Sequence, residues 1–400
     1  MSLSNQDNPR FVNLEKQEQV LFNTIQSISA GLTTSLYDSL NEKNVLFSPA
    51  SVACALALLV NGTSQEAESR EEILDAFNLD FLGKDSTRCL DHVNSTIRDL
   101  LNTLMNRDGS IDIPEDRLAE FQAANSIWGS RLCESYIVKV KDLFDAEAFS
   151  PPETGEKVNL WIESKTDGHL KDLFPSGLTF PDTVIMLINS IYFHGQWLYP
   201  FEPKDTKVTP FYTPANKQMD CFMMTAGSRT WEYAEKGPYQ VLNLPYKDYR
   251  FVATIVLPKE ILDFQKATSL MTPEEWQSVF LERKLKSRGT VLIPRFDLEK
   301  QMELKEALGQ MGIRKIFDVA QAKLHELSEE PLAISSILHK CRIEVDESGT
   351  KASAATSVII GKSARNLDAP FRFECNRPFY FIIRTNRGIP LFISYIQNPT

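Results

Sequence analysis

The sequence holds no Cys-x-x-Cys pair. Its six cysteines (Cys54, Cys89, Cys133, Cys221, Cys341 and Cys375) are spread through 400 residues. That excludes the usual zinc and dithiol spacings and is too sparse for a disulfide scaffold, so free interior thiols are expected. Histidine is scarce too. His92, His169, His194, His325 and His339 are isolated, with no i, i+4 pair to hold a metal. There is no G-x-S-x-G elbow, P-loop, G-x-G-x-x-G or H-E-x-x-H, and the carboxylates are scattered. No enzyme, catalytic residue, metal or cofactor is indicated.

Long apolar runs are missing as well. The longest, residues 52–60, falls far short of the roughly 20 residues that a bilayer requires, so no membrane insertion is expected. The polar N-terminus lacks the apolar stretch of a signal peptide. A formal net charge of −10 and the absence of any basic tail argue against a nucleic-acid partner. Two triplets, Asn61-Gly-Thr63 and Asn94-Ser-Thr96, are possible N-glycosylation sites and point toward export. The expected protein is therefore soluble, and its compartment stays open between extracellular and cytoplasmic.

What is there is a core-forming mixture, 42% hydrophobic and 24% charged. Residues 17–41 carry apolar positions at helical spacing: Val20, Leu21, Ile25, Ile28, Leu32 and Leu36. Ser48-Pro49 reads as an N-cap followed by a first-turn proline. The helix it opens, residues 50–60, is apolar nearly all round and belongs inside a large core. Thr272-Pro-Glu-Glu275 predicts a capping box, with Thr272 at the cap and Glu275 reaching back. Strands are expected at 184–188, 289–296, 334–345, 379–384 and 391–396, and a hairpin where 239–244 and 250–257 flank Pro245-Tyr-Lys-Asp. Helices in front and strands behind, without βαβ alternation, predict an α+β fold in one domain spanning residues 1–400.

One stretch is unusually small: DESGTKASAATSVII, residues 346–360. Counted alternately, Thr350, Ala352, Ala354, Thr356, Val358 and Ile360 share one face, small or β-branched and without charge. Lys351, Ser353, Ala355, Ser357 and Ile359 share the other. The pattern is that of a strand with one face buried, yet alanine and serine are weak strand formers and Glu-Ser-Gly before them reads as a flexible joint. Such a segment fits a strand that forms only conditionally.

Glu347-Ser-Gly-Thr-Lys-Ala-Ser-Ala-Ala-Thr356 resembles the hinge of the serpins, the serine-protease-inhibitor family. Phe373-Glu-Cys-Asn-Arg-Pro-Phe-Tyr-Phe-Ile-Ile383 is similar to that family's C-terminal signature. The likeness recurs in order at Asn44-Val-Leu-Phe-Ser-Pro-Ala-Ser-Val52, at Ala124-Asn-Ser-Ile-Trp128, at residues 158–168 and at Asn189-Ser-Ile-Tyr-Phe-His-Gly-Gln-Trp197.

The resemblance implies three β-sheets, about nine helices and an exposed reactive-centre loop at about residues 347–372. It implies a suicide-substrate inhibitor that acts as a monomer. The protease acylates the loop, and the hinge then inserts into the main sheet as a strand, trapping the enzyme. Hinge positions carried over are Glu347, Gly349, Thr350, Ala352, Ala354, Ala355 and Thr356. Lys351 and Ser348 depart from the family's acidic preference, but both fall toward solvent or the joint. Ser48, Ser51, Asn189 and His339 match the shutter beneath the opening sheet, and Trp197 matches the breach where insertion begins. The family's spacing puts the scissile bond at Ser363–Ala364; Lys362–Ser363 and Arg365–Asn366 are alternatives. Two cations so close together favour a trypsin-like target cutting after Arg365 or Lys362. Residues 84–107 mix Arg88 and Arg98 with Asp85, Asp91 and Asp99, so no strong heparin site is expected. The alternative function is that of a non-inhibitory serpin, a carrier or chaperone.

Overall fold

A computed structural model describes residues 16–36, 44–83, 85–106, 119–179, 185–215, 217–282, 284–350 and 369–400. Among them are nine α-helices: α1 (Lys16–Ser35), α2 (Pro49–Gly62), α3 (Glu68–Ala76), α4 (Ser86–Met105), α5 (Glu134–Phe144), α6 (Gly155–Lys165), α7 (Phe264–Leu270), α8 (Pro273–Leu281) and α9 (Lys305–Gln310). The strands of the first half are β1 (Val45–Phe47), β2 (Glu120–Gly129), β3 (Glu147–Phe149) and β4 (Ile185–Gln196). Those that follow are β5 (Lys207–Tyr212), β6 (Gln218–Lys236), β7 (Tyr239–Pro245), β8 (Phe251–Pro258), β9 (Leu285–Pro294) and β10 (Phe296–Glu303). The chain closes with β11 (Ser336–Val345), β12 (Gly349–Thr350), β13 (Phe371–Glu374), β14 (Phe379–Thr385) and β15 (Pro390–Ile396).

The expected helix-then-strand order holds, and local chemistry explains several boundaries. In α2, Ser48 is the N-cap and its hydroxyl accepts from Ser51 N–H, with Pro49 in the first turn. All 14 residues of α2 are buried, as a helix without a polar face must be. Asp85 caps α4 by accepting from Thr87 and Arg88 N–H, and Asn106 ends it in the left-handed region. Its buried stripe is Cys89, Leu90, Val93, Ile97, Leu100, Leu101 and Leu104. Only half of the predicted capping box is present. Thr272 Oγ1 accepts from Glu275 N–H at 3.3 Å, but the Glu275 carboxylate is taken by the Tyr239 hydroxyl instead of the cap. The predicted strand over 289–296 breaks at Arg295, between β9 and β10.

Among the described residues the strands form two hydrogen-bonded networks. One has nine strands in the order β1-β15-β14-β8-β7-β6-β9-β13, with β5 paired to β6; the other runs β10-β11-β12-β4-β2-β3. The three sheets implied by the family likeness appear as two networks because β6, 19 residues long, serves both parts of the larger one. Its first residues pair β5, residues 223–233 pair β9, and its last residues pair β7. The main hydrophobic core draws on α1–α5, α7–α9 and both networks. A smaller one, built on Trp128, Trp161, Ile162 and Leu170, joins α6 to the six-stranded sheet. All six cysteines are free, as expected, and only Cys133 is not buried.

Candidate functional site

β4 and β11 are partners along only part of their length. From Ser336↔Met186 to Arg342↔Tyr192 they pair directly and in parallel. Beyond that point they part, and β12 fills the gap, antiparallel to both. Thr350 faces Gly195 on one side and Val345 on the other, and Gly349 faces Gln196. The six-stranded sheet is thus forked at one end, with the first residues of the small ribbon seated in the fork.

The chain enters this fork through a tight turn after β11. Asp346 Oδ1 accepts from Ser348 N–H (2.8 Å), Ser348 Oγ (2.6 Å) and Gly349 N–H (3.1 Å). Asp346 N–H donates to Gly349 O at 2.9 Å. A carboxylate that receives the amides following it is the usual chemistry of an aspartate turn. The Glu-Ser-Gly segment, expected to be a flexible joint, is therefore tied down. Glycine at 349 answers to close approach: a Cβ there would lie 2.1 Å from Gly195 O. Thr350 is completely buried, on the inward face that the alternation predicted, and its Oγ1 lies 2.8 Å from the Tyr246 hydroxyl.

Glu347 anchors the turn from outside. Its carboxylate accepts from Arg295 Nε at 2.7 and 2.8 Å, pairs with Arg295 Nη2 at 2.5 Å, and meets the Thr206 hydroxyl. Burial acts to raise the Glu347 pKa, but the hydrogen bonds from Arg295 and Thr206 outweigh it and hold the carboxyl below its ordinary value. Backbone carbonyls are satisfied as well: Trp197 N–H donates to Ser348 O and Phe201 N–H to Glu347 O, both at 2.8 Å. The Trp197 indole donates to Asp346 O at 3.0 Å, and its ring stacks on Tyr246 at 4.6 Å. Trp197 therefore stands at the mouth of the fork, in contact with the turn that feeds it.

Where β4 and β11 pair directly, four of the predicted polar residues meet. His339 and Asn189 are register partners, and the N-terminus of α2 brings Ser48 and Ser51 beneath them. Ser48 N–H donates to His339 Nε2 at 3.1 Å, so the ring proton resides on Nδ1, which donates to Asn189 Oδ1 at 2.7 Å. Ser51 Oγ donates to the same Asn189 Oδ1 at 2.5 Å, while Ser51 N–H donates to Ser48 Oγ at 3.1 Å. Asn189 Nδ2 donates to Ser51 O (2.9 Å) and to Asn125 Oδ1 (2.6 Å). All five residues are buried. Burial pushes the His339 pKa down to about 4, which agrees with a ring nitrogen that must accept a backbone N–H.

Ser48, Ser51, Asn189 and His339 are thus one cluster, while Glu347, Gly349, Thr350 and Trp197 form another at the fork. Ala352, Ala354, Ala355 and Thr356 lie outside the described residues, as do the scissile-bond candidates Lys362, Ser363, Ala364, Arg365 and Asn366. Sequence reasoning missed Arg295, Thr206, Tyr246, Gly195 and Asn125. The signals were slight. Tyr246 sits in the Pro245-Tyr-Lys-Asp stretch read only as a turn, and Arg295 marks the break in a strand read as continuous. Among the described residues no helix is long and apolar enough to cross a membrane.

The fold and this seam define an α+β protein whose largest parallel pairing is split at one end by a strand of its own chain. Comparison with known proteins gives that class its name. Residues 23–399 match the family described as Serpin (serine protease inhibitor). Serpin B3 of Homo sapiens is 31% identical over 365 residues, covering 86% of this chain and 91% of the relative. An uncharacterized serpin-like protein of Methanosarcina acetivorans is 31% identical over 376 residues, 90% of this chain and 83% of its own. Among solved structures, Serpin48 of the insect Tenebrio molitor superposes with a TM-score of 0.80 at 24% identity, over 97% of this chain and 100% of that one. Thyroxine-binding globulin in complex with thyroxine also gives 0.80, at 22% identity, over 95% and 99%. The chain belongs to the serpin family.

Proposed function

We propose that this serpin is a suicide-substrate inhibitor of serine proteases with trypsin-like specificity. Cleavage after Arg365 or Lys362 leaves the protease attached as an acyl-enzyme, and the freed hinge enters the sheet before water can release it. The supporting observation is Thr350. An uncharged residue of the hinge already sits completely buried in the fork, hydrogen-bonded within it.

Register extends the argument. Each residue after 350 would move one step down both flanking strands, from Gly195 toward Asn189 and from Val345 toward His339. Thr356 would then stand between Asn189 and His339, on the same face as Thr350. Ala352 and Ala354 come first on that face, small enough to pass neighbours and carrying no charge to bury. Strand addition supplies main-chain hydrogen bonds along both edges, which a weak strand former cannot obtain alone. From Thr350 to Ile360 the new strand would run about 36 Å at roughly 3.3 Å per residue.

The test is incubation with trypsin followed by a denaturing gel. A complex that survives SDS, with its loop fragment ending at Arg365 or Lys362, supports the proposal. Clean cleavage without a complex would favour the carrier or chaperone reading. Cleavage at Ser363–Ala364 alone, with slow trypsin inhibition, would overturn the trypsin-like assignment.

A further inference from the structure

The two glycosylation triplets of this sequence meet in space. Asn61 lies in the last turn of α2, and Asn94 lies within α4. Their carboxamides bind each other in both directions. Asn61 Nδ2 donates to Asn94 Oδ1 at 2.6 Å, and Asn94 Nδ2 donates to Asn61 Oδ1 at 3.1 Å. Asn61 Nδ2 gives its other hydrogen to Ala57 O at 2.8 Å, so both of its amide hydrogens are in use. Asn61 is 1% exposed, and Thr63, the third residue of its triplet, is completely buried with its hydroxyl on Val60 O.

A glycan would replace one Nδ2 hydrogen with a bulky, strongly hydrated sugar, which requires a surface position. At Asn61 that substitution would remove a hydrogen bond and force sugar between two packed helices. At Asn94 the carboxamide would have to turn outward. Asn61 would then keep a buried carboxamide oxygen without its donor. Neither triplet lies in an extended surface loop.

We propose that Asn61 and Asn94 are a reciprocal amide clasp fastening α2 to α4, and that the folded protein carries no glycan on either. Oligosaccharide transfer acts on chains before they fold, so native folding of this serpin belongs to a compartment without N-glycosylation. The clasp also has a bearing on the seam, because α2 carries Ser48 and Ser51 under Asn189.

The full chain would be expressed in two ways, in the cytosol and behind an added signal sequence in a glycosylating eukaryotic host. Peptide mass spectrometry would then read Asn61 and Asn94 in the folded and aggregated fractions. The folded fraction is expected to be unmodified at both, with glycan-bearing chains confined to the aggregate. A Thr63→Val, Thr96→Val variant removes both triplets and keeps both asparagines. It should raise the folded yield several-fold in the secreted arm and leave the cytosolic arm unchanged. Folded protein with a glycan at Asn61 or Asn94, and a thermal midpoint indifferent to its enzymatic removal, would overturn the proposal. The clasp has its own readout in cytosolic protein. Asn61→Ala and Asn94→Ala together should cost little more than the larger single effect, whereas simple additivity would refute reciprocity.

Discussion

His339 Nδ1 and Asn189 Oδ1 lie 2.7 Å apart across the seam where β4 and β11 pair directly. The contact fastens the seam, and a strand that entered fully between β4 and β11 would have to part it. Asn189 is its centre, accepting from His339 and Ser51 and donating to Ser51 and Asn125. Asn189→Ala would leave several buried groups without partners. The expected loss is about 2–4 kcal/mol of native stability, read as a lower urea midpoint. An unchanged midpoint would show that the cluster does not hold the seam.

Acidification should act through His339. Its folded pKa of about 4 lies below the ordinary imidazole value of roughly 6.5. The unfolded chain therefore binds the proton first as pH falls. The stabilisation is complete above about pH 6.5 and declines as pH falls toward about 4, by up to about 3 kcal/mol. Urea midpoints of the wild type and of His339→Gln across that window would check it. The variant should be less stable at neutral pH but flatter below. Parallel curves would place the titration elsewhere.

The Glu347–Arg295 pair predicts a charge-swap result. Glu347 is largely covered while Arg295 is 41% exposed at its side chain, so screening limits the pair to about 1–2 kcal/mol. Arg295→Glu should loosen the hinge turn and speed limited proteolysis at residues 346–350. Combining it with Glu347→Arg should restore much of the protection. Because the Glu347 carboxyl is held below its ordinary value, its contribution is present above roughly pH 4.3 and is lost as pH falls through the lower folded pKa. Failure of the swap to recover any protection would assign the hinge's order to the backbone turn alone.

Gly349 is constrained by Gly195 O, which a Cβ would approach to 2.1 Å. The three nearest atoms (Gly195 O and C, and Gln196 Cα) are all β4 backbone, so no flexible side-chain end is there to yield. Gly349→Ala should therefore push Thr350 out of the fork, lower the thermal midpoint and expose the hinge to proteases. A variant with wild-type midpoint and hinge protection would show that β4 shifts easily at this point.

The element order and most boundaries were legible because hydrophobic period and capping chemistry are local. Ser48 and Pro49 announced α2, and the alternation after Gly349 put Thr350 inward. The resemblance carried Ser51, Asn189 and His339, which no local pattern distinguishes from ordinary polar residues. Contacts that depend on tertiary approach stayed hidden. Arg295 reaches Glu347 from 52 residues away and Tyr246 reaches Thr350 from 104. The joint looked flexible because glycine and serine permit freedom, yet Asp346 removes it with three hydrogen bonds. The meeting of the two asparagine triplets stayed hidden for the same reason. A short pattern cannot show that its side chain is buried against another copy of the pattern.

Thr350 and Thr356 should separate seating of the hinge from completion of insertion. Thr350 is completely buried in the native fork, so Thr350→Arg places a guanidinium where none can be solvated. That variant should unseat the hinge, become more protease-sensitive before any cleavage, and behave as a substrate of trypsin instead of a trap. Thr356 lies six positions further on, where the extended register meets Asn189 and His339. Thr356→Arg should leave the native thermal midpoint and the Thr350 contacts unchanged, because the direct pairing of β4 and β11 is undisturbed. Under the proposed mechanism its charge would be buried only when the strand advances, so insertion should stall and the serpin be consumed as substrate. Titrating each variant against trypsin would measure this as a several-fold rise in the moles of serpin needed per mole of enzyme. If Thr356→Arg traps protease at wild-type stoichiometry, the strand does not run past the His339–Asn189 contact in the register that Thr350 sets.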